Sequence, residues 1–160
     1  MTPEEKIEEM GLVLPPRVTL PEGMHLPFSM INVRGDRALF SGHPRHGADG
    51  KISGPFGTFG ADLTTEEGYA AAREVALSVL ANLRAEIGAL SRINGFVKVF
   101  GMVASTPDFT QQHLVVNGFS DLILSVFGPD VGRHTRSAVG MTSLPAGFAM
   151  EIEGEVLIRP

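Results

Sequence analysis

The sequence predicts an α+β fold: one mixed sheet with two helices packed on a single face. Three observations carry that expectation. Residues 64–88 and 106–127 repeat apolar side chains every three or four positions, the spacing of a helix that covers a core. Five other segments are strand-like, alternating with period two or apolar throughout. Their order, β-β-α-β-α-β-β, breaks the strict alternation of an all-parallel sheet and leaves both helices on one side. The 160 residues fit one domain, and 43% hydrophobic against 19% charged residues supplies material for a core.

At the N-terminus, Thr2 and Glu5 form a capping box around Pro3, which suits the first helical position, and Met10-Gly11 closes the short helix. Pro15, Pro16 and Pro21 then impose an extended path. Residues 1–26 are read as a helix with a Pro-rich lead-in, and residues 27–160 as the main domain. Residues 28–33 and 38–42 form a hairpin about Arg34-Gly35-Asp36-Arg37, a turn by its Gly and Asp rather than an adhesion signal. Residues 43–62 read as a loop. Gly54, Gly57 and Gly60 recur there without the strand-to-helix context of a dinucleotide fingerprint. His43 and His46, three apart, could begin a metal site, but no ligand set completes it nearby.

A second capping box, Thr64 with Glu67, starts the longest helix. Its stripe is Tyr69, Ala72, Ala76, Val79, Leu80, Leu83 and Ile87, and Gly88 stops it. Residues 94–104 are apolar on both faces, which predicts a central strand. The second helix, residues 106–127, carries Phe109, Val116, Ile123 and Val126. Asn117 lies beside that stripe, as an exposed amide or as part of a site. The chain should end in a hairpin: residues 136–141, a loop at Leu144-Pro145-Ala146-Gly147, and residues 148–156. In the last strand Phe148, Met150, Ile152, Gly154 and Val156 point one way, and Ala149, Glu151, Glu153 and Glu155 the other.

Arg136 and Glu151 in that terminal unit admit two readings. They form an ion pair across a solvated face, or a guanidinium that grips a small carboxylate beside a carboxylate that moves a proton. The rest of the composition narrows the function. Net charge −5 argues against nucleic-acid binding. Absence of cysteine removes thiolate chemistry and Cys-based zinc sites. MTPEEKIEEM lacks the apolar core of a signal peptide, and no apolar run approaches the ~18 residues of a membrane span. The expectation is a cytoplasmic protein whose lightly charged surface suits an oligomer.

Ser41-Gly42 after the first hairpin, Asp62-Leu63-Thr64, Val116-Asn117, Arg136-Ser137, and Leu144-Pro145 followed by Glu151-Ile152-Glu153 together resemble the RidA/YjgF family, also called L-PSP endoribonuclease-like. The resemblance covers residues 27–158, and the lead-in is similar to that of the longer members. It implies a chorismate-mutase-like fold and a homotrimer with clefts between subunits. It also implies hydrolysis of 2-imino acids, formed from 2-enamino acids such as 2-aminoacrylate, to 2-oxo acids and ammonia. No cofactor or metal is implied. Carried over, Arg136 grips the substrate carboxylate and Glu151 handles the attacking water. Asn117 is a polar cleft residue, Ser41 and Gly42 form a small-residue wall, and the backbone at Ala138 faces the ligand. Two positions depart from the enamine-hydrolysing pattern: Phe28 replaces Tyr, and His43 replaces Gln. His134 is assigned a supporting role. Three functions compete: an enamine/imine deaminase, a non-catalytic trimer that binds small carboxylates, and an endoribonuclease. The charge and the single Tyr count against the last.

Overall fold

The computed structural model describes residues 1–160. Its centre is a five-stranded mixed sheet in the order β1-β2-β7-β5-β6. The strands are β1 (Ile31–Arg34), β2 (Arg37–His43), β5 (Ile93–Ala104), β6 (Thr135–Met141) and β7 (Met150–Ile158). Only β5 and β6 pair in parallel; β1/β2, β2/β7 and β5/β7 are antiparallel. Two long helices, α2 (Thr65–Ile87) and α3 (Gln112–Gly132), cover one face, as expected. Both predicted capping boxes form, at Thr2/Glu5 before α1 (Pro3–Glu9) and at Thr64/Glu67 before α2.

The expected terminal hairpin does not form: β5 lies between β6 and β7. α3 acts as a crossover that returns the chain parallel to β5, so β6 takes the outer edge and β7 must pair on the other side. The loop after β6 therefore bridges the end of β5. There the Ala149 N–H donates to the Pro55 carbonyl at 2.8 Å, and the Ala104 N–H to Ala149 at 2.8 Å.

Three other expectations are corrected. Residues 43–62 contain a small two-stranded sheet, β3 (Arg45–His46) with β4 (Ile52–Gly54), too short to show periodicity. The second helix begins at Gln112, because Thr106 and Phe109 close a turn (N–H to carbonyl, 3.1 Å) instead of a first helical turn. It then continues past a break at Gly128, where φ is 73°. Finally, α3 has the length and apolar composition of a membrane span. Its apolar side has another use, since Val115, Val116, Phe119, Leu122 and Ile123 are buried in the core.

Burial along α2 is nearly continuous from Val75 to Leu83, wider than one stripe, because the helix also supports the lead-in. Val18 N–H donates to Asn82 there, at 2.9 Å. Ile7 of α1 is 1% exposed and belongs to the same core. Tyr69 is not a core residue. It is half-buried, and its hydroxyl donates to Asp121 Oδ2 at 2.9 Å, tying α2 to α3.

Candidate functional site

Strand register decides which face each candidate occupies. Arg136 pairs with Val99, and Ala138 with Gly101, a row that Ile152 and His43 continue on the helix side. The Arg136 side chain accordingly reaches α3. Its Nη1 donates to Ser120 Oγ at 3.0 Å and its Nη2 to the His113 carbonyl at 3.3 Å. Asn117 lies four residues after His113 and three before Ser120, on the same strip of α3. Arg136, Asn117 and Ala138 are thus brought together at the outer edge of the sheet. Burial lowers the Arg136 pKa from its usual value, and the charge of Asp121 opposes that shift.

Glu151 occupies the other face. It pairs with Met102, in a row that continues to Val139, while Glu153 pairs with Phe100. Opposite this strand β2 bulges: Phe40 pairs with Gly154 but His43 with Ile152, so Ser41 and Gly42 together oppose Glu153. The bulge sets Gly42 against Glu151, whose Oε2 lies 2.7 Å from where a Cβ on residue 42 would sit. Ser41 Oγ donates to the Ser29 carbonyl at 2.7 Å, fixing the segment before β1. Phe28 lies in that segment rather than in a strand and is 56% exposed. It lines a groove of about 560 Å³ with Leu39, Ser41, Phe100 and Glu153. Phe28 and Ser41 thus share a groove whose carboxylates are Glu153 and Glu155, while Gly42 and Glu151 meet each other next to it and are not part of its lining. These residues make up the second group of candidates. Burial raises the Glu151 carboxyl above the usual range, and the neighbouring charge of Glu153 adds to it.

The two clusters do not meet within one chain. β6 and β7 are two strands apart and the residues three steps apart along β5, so roughly 14 Å and the sheet itself separate Arg136 from Glu151. Neither residue belongs to any of the four ion pairs. The cross-strand bridge that the terminal hairpin would have made is therefore absent.

His43, which stands where the enamine-hydrolysing members have Gln, does not face the groove lined by Phe28. It is fully buried on the helix side. Its Nδ1–H donates to the Ser41 carbonyl at 2.5 Å, and its Nε2 accepts from Asn82 Nδ2 at 3.0 Å. Burial pushes its pKa down to about 4. His43 thus braces the bulge from behind. His46 bonds the Pro16 carbonyl at 2.8 Å, and no three His, Asp or Glu side chains are grouped to hold a metal. Sequence reasoning missed Ser120, which lies between Arg136 and His134 Nε2, 2.9 Å from the latter. Its only signal is its place one helical turn after Asn117.

Comparison with known proteins agrees with this architecture. Residues 4–148 match the family described as "YjgF/chorismate mutase-like, putative endoribonuclease". Protein TCP17 of Trypanosoma cruzi is 52% identical over 100 residues, a stretch spanning 62% of this chain and 62% of that relative. The crystal structure of Atu1372 from Agrobacterium tumefaciens, a protein of unknown function, superposes with TM-score 0.84 at 36% identity, covering 98% of this chain and 92% of that one. A Shewanella oneidensis structure with the same endoribonuclease designation gives TM-score 0.87 at 29% identity, covering 99% and 100%. The YjgF protein of E. coli, at 18% identity and TM-score 0.60 over 92% of this chain and 96% of its own, shares the fold. With the family model spanning both covering helices and four of the five sheet strands, all but β7, the chain belongs to the YjgF/chorismate mutase-like family.

Proposed function

We propose that this protein is a deaminase of 2-enamino and 2-imino acids. It would work at clefts between the subunits of a homotrimer, releasing 2-oxo acids and ammonia. The observation that carries the reading is the separation just described. A half-buried arginine without a carboxylate partner lies on one side of the sheet, and a carboxylate without a cation on the other. A second copy that applies its β6–α3 edge to the open sheet face would bring them into one cleft. A heterologous contact of this kind gives a closed ring when its rotation is one third of a turn, as the proposed homotrimer requires.

The chemistry follows from the two groups. Arg136 offers a planar two-point grip on the substrate carboxylate. The protonated imine is itself electrophilic at C2. Glu151, as carboxylate, takes a proton from water as the water oxygen bonds to C2. It returns that proton to the nitrogen. The C–N bond then breaks and ammonia leaves while Glu151 takes the remaining hydroxyl proton, so that the neutral carbonyl forms and the proton passes to the departing ammonia as ammonium. A carboxyl held above its usual pKa is suited to both transfers. Asn117 lies beside Arg136 to bind a second polar atom, and the Ser41-Gly42 bulge keeps the wall beside Glu151 thin.

Phe28 favours a second reading, a trimer that binds small carboxylates without turning them over, because no hydroxyl is present at that position. An RNA substrate fits poorly with net charge −5. The deciding experiment measures 2-oxo acid and ammonia release from 2-aminoacrylate generated in the assay. On the deaminase reading the wild type accelerates release. Arg136→Lys, which keeps the charge but loses the fork, should lower kcat/KM by about 10²–10⁴, equivalent to two charge-assisted hydrogen bonds. Binding of pyruvate without any acceleration would instead establish the carboxylate-binding reading.

A further inference from the structure

We propose that Ser120 and His134 form a directional relay that holds the Arg136 guanidinium in place for its carboxylate, and that the relay requires neutral His134. This deepens, and rests on, the reading of Arg136 as the carboxylate grip. The hydrogen-bond roles are fixed by chemistry. His134 Nδ1 faces the Gly132 carbonyl at 2.8 Å, an acceptor only, so Nδ1 carries the proton and Nε2 is the acceptor. Ser120 has one hydroxyl hydrogen, and it goes to His134 Nε2 at 2.9 Å. A lone pair on the same oxygen is then free to accept from Arg136 Nη1, which can only donate, at 3.0 Å. The His113 carbonyl holds the other Nη, which leaves Nε and the outer N–H groups for a ligand. The imidazole cannot swing away, because the rings of Phe96 and Phe119 flank it at centroid distances of 6.3 and 6.5 Å.

Protonation of His134 would turn Nε2 into a donor and place two cations on one serine oxygen. Arg136 is the partner free to move, since His134 is held between rings. The other titratable groups adjoining the relay are Asp121 and the exposed His113 on α3, Arg133 in the connection to β6, and on β5 the exposed Lys98, which pairs with Thr135; Phe96 of β5 packs against the imidazole. Burial, with Arg136 adding to it, already holds His134 below its ordinary value, so the neutral form prevails near neutral pH. The grip should therefore loosen on acidification.

The test is titration of the full-length protein with pyruvate from about pH 7.5 stepwise to a pH well below the ordinary histidine pKa, because burial moves the His134 transition below that value. Wild type, Ser120→Ala, His134→Leu, His134→Gln and Arg136→Ala are compared, with thermal melts to confirm folding. Ser120→Ala and His134→Leu should each weaken binding roughly tenfold at the higher pH, the equivalent of one hydrogen bond to a charged group. His134→Gln, whose side-chain oxygen can accept the serine hydroxyl, should bind as wild type at the higher pH and lack the wild-type loss at the lower. If His134→Leu does not fold, Ser120→Ala and the pH profile of His134→Gln decide. Wild-type affinity in Ser120→Ala, with binding lost in Arg136→Ala, overturns the relay and leaves the grip standing. Failure of the wild type to bind pyruvate, or wild-type binding by Arg136→Ala, overturns both.

Discussion

Gly42 shows how finely the Glu151 side of the site is set. Its backbone is not in the left-handed region, so alanine is conformationally acceptable there, yet the added Cβ would sit 2.7 Å from Glu151 Oε2. The obstructing atom is the end of a flexible side chain, so the carboxylate moves and the fold stays. Gly42→Ala should melt close to wild type while imine hydrolysis falls about 10²-fold, the usual cost of misplacing a catalytic group by an ångström. His43 makes a different prediction. Its folded pKa of about 4 lies below the ordinary 6.5, so between those values the unfolded chain binds more protons than the native one. Its contribution to stability is complete above the ordinary value and is lost as pH falls towards the folded one. That loss is on the order of 3 kcal/mol. Urea denaturation across this range should show it, and His43→Gln should flatten the slope by that share, leaving the smaller shares of His46 and His134. At this scale the sequence motifs named Arg136 and Glu151, because their types are recognisable along the chain. Ser120 and Asn82 were not legible, because their roles depend on which strand row faces which helix.

At the scale of elements, what was local was legible and what was pairwise was not. The capping boxes and the stripes of α2 and α3 depend on neighbours a few residues away, and they form, apart from Tyr69, which lies outside the core, and Phe109, which precedes α3. The terminal hairpin depended on which strand β7 would choose. A strand apolar on both faces, β5, took the place beside it and moved Arg136 away from Glu151. The start of α3 was misplaced because Thr106-Pro107-Asp108 supports a turn as well as a helix cap. The contact between the helices is equally non-local. A Cβ on Gly118 of α3 would overlap the Tyr69 carbonyl oxygen and lie 2.8 Å from its carbon. Backbone cannot yield as a side-chain tip does. Gly118→Ala should therefore force the helices apart and destabilise the protein by about 1–3 kcal/mol or more in chemical denaturation. Because Asn117 and Ser120 flank that position, pyruvate affinity should fall with it.

At the scale of the whole molecule, one sheet separates the two halves of the proposed site. The helices seal one face, and the other carries Phe100, Met102 and Val139 beside Glu151 and Glu153. A single chain can present either half to a ligand but not both. The central claim is therefore that one subunit's Arg136 works with another subunit's Glu151. The direct measurement is complementation. Arg136→Ala and Glu151→Gln proteins, each inactive alone, are unfolded, mixed in equal amounts and refolded together, and imine hydrolysis is measured. In randomly mixed closed rings, roughly a quarter of the clefts would combine an intact Arg136 from one subunit with an intact Glu151 from its neighbour. Recovery of about that fraction of wild-type activity is the predicted result. Mixed oligomers that form but remain as inactive as their parents would contradict the account.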